Sequence, residues 1–104
     1  MTVIIVATAF PAPEYRDEVI AAFEVAQRQV HATEDGTLRY ALHEGADGRL
    51  VMIEKYTDEA AVAAHQRGEG LASLRAALDG KLSAPVDVQV LTPRPAGSAD
   101  KGTL

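Results

Sequence analysis

At 104 residues, with 47% hydrophobic and 24% charged side chains, the chain has the length and balance of one soluble globular domain and leaves no room for two. Fifteen acidic against ten basic side chains give a net charge of -5, with no Lys/Arg run. That excludes the basic footprint of a nucleic-acid binder or of a clamp on anionic membranes, and leaves neutral molecules or protein as partners. Cysteine is absent, which rules out a disulfide framework, a thiolate zinc site and a cysteine nucleophile, and a reducing compartment is the expected home.

The run from Val3 to Ala9 is β-branched and apolar without helical period, and Pro11 and Pro13 close it, which predicts a buried strand. It is too short to span a bilayer and has no positive flank, so a signal peptide is not expected and the location expected is cytoplasmic. From Tyr15, apolar residues recur at Val19, Ala22, Phe23, Ala26 and Val30 while Arg16, Asp17, Glu24, Gln27 and Arg28 take the other side, predicting a helix that ends near Asp35-Gly36. Thr37 to Glu44 and Arg49 to Tyr56 read as strands of an antiparallel hairpin, turned by Gly45-Ala46-Asp47-Gly48. Thr57-Asp58 caps a second helix from Glu59 to about Arg67, which Gly68-Glu69-Gly70 breaks. A short helix carrying Leu71, Leu74 and Leu78 stops at Gly80, and Val86, Val88 and Val90 alternate with Asp87 and Gln89 as a half-buried last strand. From Pro93 the chain is poor in apolar groups, so the domain is expected over residues 1–92 and a flexible tail over 93–104.

The order strand, helix, strand, strand, helix, strand predicts an α+β, ferredoxin-like βαββαβ fold, a four-stranded antiparallel sheet with its helices on one face. The strand residues from Val3 to Ala7 and from Leu50 to Ile53 also offer apolar side chains to the face the helices leave bare. An open antiparallel sheet facing water normally alternates, so a second copy is expected to cover that face as a homodimer joined sheet to sheet.

The inventory for chemistry is short. His31, His43 and His65 fall on three different elements without ligand spacing, so no metal site is expected. No phosphate-cradling glycine loop and no nucleophile elbow can be written. What remains is Glu54 and Tyr56 at the end of the third strand, Tyr40 on its hairpin partner and His65 on the following helix, three residues after Val62 and so at the inner stripe or its margin. Whether Tyr40 or Arg39 faces Glu54 depends on hairpin register, since a slip of one residue reverses every side chain.

Two segments together resemble the antibiotic biosynthesis monooxygenase family of small dimeric α+β barrel proteins. They are Gly36-Thr37-Leu38-Arg39-Tyr40-Ala41-Leu42-His43 and Val51-Met52-Ile53-Glu54-Lys55-Tyr56-Thr57-Asp58-Glu59-Ala60-Ala61, leading to Ala64-His65. The likeness runs from Val3 to about Val90. It departs from the family pattern at Tyr56, where tryptophan is common, and at Gly68-Glu69-Gly70, where a second histidine often stands. The resemblance implies oxidation of quinols or polyphenolic aromatics by O₂ with no metal or organic cofactor. His65 would then be the base, with Glu54 orienting it or a bound water, and Tyr40, Tyr56 and Arg39 are the substrate-binding candidates. The alternative is a dimeric barrel of the same fold that binds a small hydrophobic ligand without turnover.

Overall fold

The apolar opening run is strand β1 (Val3–Ala9), ended by the prolines beyond it. The computed structural model describes residues 1–104 throughout. A 3₁₀ turn at Pro13–Tyr15 leads into α1 (Arg16–Thr33), whose buried residues Val19, Phe23, Ala26 and Val30 form one dry stripe. The hairpin follows as β2 (Thr37–Glu44) and β3 (Leu50–Tyr56). Gly48 adopts φ +88° in its turn, where Gly45 N–H donates to the Arg49 carbonyl at 2.8 Å. Beside it the Arg49 guanidinium holds the exposed Asp47 carboxyl down to about 2.

Helix α2 (Glu59–Gln66) is capped by Asp58, whose carboxylate accepts the Ala61 N–H at 2.8 Å. The expected break at Gly68-Glu69-Gly70 is narrower than the sequence suggests. Extended Gly68 caps α3 (Glu69–Leu78), so Glu69 and Gly70 are already helical. After Gly80, at φ +74°, the chain reaches β4 (Asp87–Leu91).

The four strands form one antiparallel sheet in the order β2-β3-β1-β4, the ferredoxin-like arrangement, with the helices packed on one face. On β3 the alternation is complete: Leu50, Met52, Glu54 and Tyr56 are buried, while Val51, Ile53 and Lys55 on the opposite face are only half covered. The core joins the α1 stripe to Ala9, Tyr40, Leu50, Met52, Leu74 and Leu78. At roughly 1.5–3 kcal/mol for each large apolar side chain fully buried, this layer is what fixes the helices over the sheet.

A further feature departs from the sequence reading. Strand β4 is not half-buried: all five residues are exposed, with Val88 at 56% and Val90 at 65%. Its register opposite Ile5 and Ala7 puts these valines on the helix side, but β4 is an edge strand and the helices pack over β2 and β3 instead. Beyond β4, a four-residue helix α4 (Ala99–Gly102) forms in an otherwise exposed tail, and the Lys55 ammonium donates to the Leu104 carbonyl. No helix is long and apolar enough to cross a membrane.

Candidate active site

The hairpin register resolves the alternative left by the sequence. Tyr40 stands directly opposite Glu54, and Arg39 opposite Lys55 on the other face of the sheet. The turn at Gly45–Gly48 sets this phase, since the pairing runs unbroken from Glu44 opposite Leu50 to Arg39 opposite Lys55 and shifts only beyond it, between Arg39 and Thr37. Arg39 is therefore separated by the sheet from the other candidates, is exposed, and bonds the adjacent Leu38 carbonyl.

Helix α2 brings His65 down onto Tyr40, Glu54 and Tyr56. The close approach of its first turn depends on Gly36, where a Cβ would meet that of Ala61 at 2.6 Å; the Thr57 N–H donates to the Gly36 carbonyl at 2.9 Å. His65 is 4% exposed, with its ring between two phenols: centroids lie 5.2 Å from Tyr40 and 5.4 Å from Tyr56, both tilted. Glu54 is 5% exposed, and its Oε1 accepts the Tyr56 hydroxyl at 2.5 Å. The His65 Nε2 lies 4.0 Å from the same oxygen, beyond hydrogen-bond reach.

The other ring nitrogen has a partner that sequence reasoning missed. His65 Nδ1 lies 2.7 Å from Oε1 of Glu34, the residue that ends α1, and this oxygen also accepts the Thr37 hydroxyl at 2.8 Å. A carboxylate at a helix C-terminus opposes the helix dipole, and that local misfit is the signal that could have singled Glu34 out. Because Glu34 and Glu54 address opposite nitrogens of the ring, the three side chains do not converge on a common point.

Burial, more than any neighbouring charge, pushes the Glu54 carboxyl above its usual range; Glu34 adds to this, while the Tyr56 hydrogen bond and His65 pull the other way. Burial also raises both phenols well above the ordinary tyrosine value, reinforced by Glu54 and Glu34 and, at Tyr56, by donation to Glu54. Tyr40 and Tyr56 thus remain hydrogen-bond donors throughout the neutral range.

Tyr40, Glu54 and His65 form the polar end of a cavity of about 260 Å³ between helices and sheet. Its walls are apolar, with Ile5, Ala7, Phe23, Met52, Leu74 and Leu78 among them, and Val86 and Val88 of the exposed edge stand on its β4 side. Tyr40, Glu54 and His65 line it directly; Gln66 and Arg75, which the sequence reading passed over, also border it. Tyr56 does not line the cavity. It is fully buried behind the cluster, so its place is to hold Glu54 and flank His65 and not to touch a ligand ring. The cavity thus presents the His65 ring, the Tyr40 hydroxyl and the Glu54 carboxyl at one end of largely apolar walls.

The family model described as antibiotic biosynthesis monooxygenase matches residues 2–77. Rv0793 of Mycobacterium tuberculosis is 34% identical over 98 residues, which is 93% of this chain and 96% of the relative. Its structure superimposes with a TM-score of 0.87, at 31% identity when aligned by structure, covering 94% of this chain and 100% of the other. PA3566 of Pseudomonas aeruginosa superimposes at 0.81 with 25% identity over 91% of this chain and 95% of its own. A crystal structure described as an antibiotic biosynthesis monooxygenase matches at 0.81 over 89% of this chain and 99% of that one; at 23% identity it speaks for the fold alone.

Proposed function

The chain belongs to the antibiotic biosynthesis monooxygenase family, and from that premise we propose that it oxidises a quinol or polyphenolic aromatic substrate with O₂, drawing the electrons from the substrate and using no cofactor. The observation that carries this reading is His65, buried between two phenols at the polar end of an apolar cavity, with its Nε2 not hydrogen-bonded to protein. His65 Nε2 takes the proton of a substrate hydroxyl, and the resulting phenolate is an electron donor strong enough to reduce O₂. Tyr40 steadies the substrate oxygen by donating a hydrogen bond, and the apolar walls keep water from the anion. For a simple quinol the balance is quinol plus O₂ giving hydroxyquinone plus water. Four electrons leave the organic molecule, one oxygen atom joins the ring, and the other departs as water with the two protons released.

A single benzene ring is held by an apolar cavity of about 150 Å³. The 260 Å³ here favours one or two fused rings, with a larger polyphenol projecting past Val86 and Val88. Two copies would join through the sheet face opposite the helices, where Val6, Ala41, Val51 and Ile53 are only half covered.

The test is O₂ consumption with a panel of hydroquinones and anthrones, run aerobically and anaerobically with product identified by mass. Oxygen-dependent formation of a product bearing one atom from ¹⁸O₂ is the expected result. Saturable binding of the same compounds without O₂ uptake would overturn it in favour of a barrel that binds a hydrophobic ligand and does not turn it over.

A further inference from the structure

Glu34 belongs to no part of the sequence pattern that singled out the site, yet it makes the shortest contact to His65. Its Oε1 sits 2.7 Å from Nδ1 and also accepts the Thr37 hydroxyl, an arrangement that calls for a proton on the imidazole nitrogen facing it. Its other oxygen, Oε2, lies over the start of α3: a Cβ built at Gly68 would stand 3.4 Å from it and one at Gly70 3.7 Å. Oε2 thus stands beside the positive end of a ten-residue helix, which offsets its unfavourable position at the end of α1. The start of β2, the end of α2 and the start of α3 are arranged around one carboxylate that reaches the cavity only through His65.

We propose that Glu34 is a positioning residue that fixes His65 in the Nδ1–H tautomer, so that Nε2 keeps its lone pair on the side of the cavity. A neutral histidine in water populates both tautomers; with the proton on Nε2 the ring would present a donor to a substrate hydroxyl and could not accept its proton. The remaining ionisable groups around the ring are Tyr40 from β2 and Glu54 and Tyr56 from β3, and none of them lies within hydrogen-bond distance of Nδ1. The catalytic consequence rests on the reading of His65 as the base, whereas the tautomer is a property of the folded protein with or without substrate.

The experiment records long-range ¹H–¹⁵N correlations of the His65 ring above its titration, in the wild type and in Glu34→Ala, Glu34→Gln and Glu34→Asp. The wild type is expected to show a protonated Nδ1 and a lone-pair Nε2. Glu34→Ala should give a tautomer mixture and a kcat about 10- to 100-fold lower with KM little changed, the span seen when a histidine loses its orienting partner. Glu34→Gln, whose carbonyl still accepts, and Glu34→Asp should recover part of both signals, and they answer the question even where the alanine variant fails to fold. A wild type with its proton on Nε2, or substitutions that leave the tautomer unmoved, would overturn the proposal. If no phenol in the panel is oxidised, the monooxygenase reading fails by itself, and the ring nitrogens still report on Glu34.

Discussion

At the scale of single residues, the cluster divides into groups that line the cavity and groups that hold those groups. His65 and Tyr40 line the cavity, while Tyr56 and Glu34 act from behind. Replacing His65 with alanine should therefore lower turnover by about 10² to 10⁴, the usual span for a general base, with substrate affinity nearly kept. Steady-state kinetics beside equilibrium binding checks this, and a wild-type rate in a folded variant would remove the role. Glu54 makes a different prediction, through stability. Its folded carboxyl is raised above the ordinary value, so at acid pH it is protonated in both states and contributes no pH-dependent cost. As pH rises from the ordinary glutamate value of about 4.3 through the elevated folded value, the unfolded chain ionises first and stability is lost. Glu54→Gln keeps the shape and abolishes the titration. The variant should thus gain on the wild type across that window in urea unfolding, and parallel stability curves would show that burial does not act as described. The sequence made Glu54 and Tyr56 legible because they share one face of a predicted strand, and His65 because it falls at the inner stripe of a predicted helix or its margin, while Tyr40 stayed tied to the hairpin register. It hid Glu34, whose partner is 31 residues away, and it could not assign Tyr40 or Arg39 to a face until the turn had set the register of the hairpin.

The elements were legible wherever local pattern and tertiary packing agree. Strand β1 and the hairpin strands follow β-branched content and turn glycines, and α1 and α2 follow period and capping. Where packing between elements decides, the sequence fell silent. The exposure of β4 depends on how far the helices extend across the sheet, and the role of Gly70 depends on α1, since a Cβ there would meet Val30 at 3.1 Å. The placing of α2 is a sharper case, because it follows from one missing methyl group at the start of β2. In Gly36→Ala the new Cβ would fall 2.6 Å from that of Ala61, on a helix that also carries His65. Overpacking of this kind typically costs about 1–3 kcal/mol. The variant should melt lower and also lose activity, as α2 lifts His65 from Tyr40. Removing the exposed cap by Asp58→Ala should cost about 1 kcal/mol without that displacement, so a melting series paired with kinetics separates the two effects.

For the whole molecule, what matters is the sheet face the helices leave bare. Val6, Ile53 and Ala41 lie side by side across β1, β3 and β2, with Val51 one pair further along β3, and all are half-buried, not closed off from solvent. A lone chain would keep this strip in water at roughly 25 cal/mol for each Å² of apolar surface, a cost that a second copy stacked face to face removes from both. The tail bears on the same face: Lys55 donates to the Leu104 carbonyl, and Ile4, Leu91 and Leu104 border one hollow at that end, away from Val51. Residues 94–104 are exposed and offer little apolar area against the entropy of ordering them. A chain ending at Thr92 is therefore expected to keep its melting temperature. It should also keep its assembly, since the central strip does not depend on the tail. Light scattering at micromolar concentration should give twice the chain mass for both lengths. Ile53→Glu, which sets an unpaired charge at the centre of the strip, should give a folded monomer, because burying that charge against a partner costs more than the contact returns. A wild type that scatters as a monomer would leave the bare face without a second copy, and a large fall in melting temperature on truncation would mean that the tail itself is the cover.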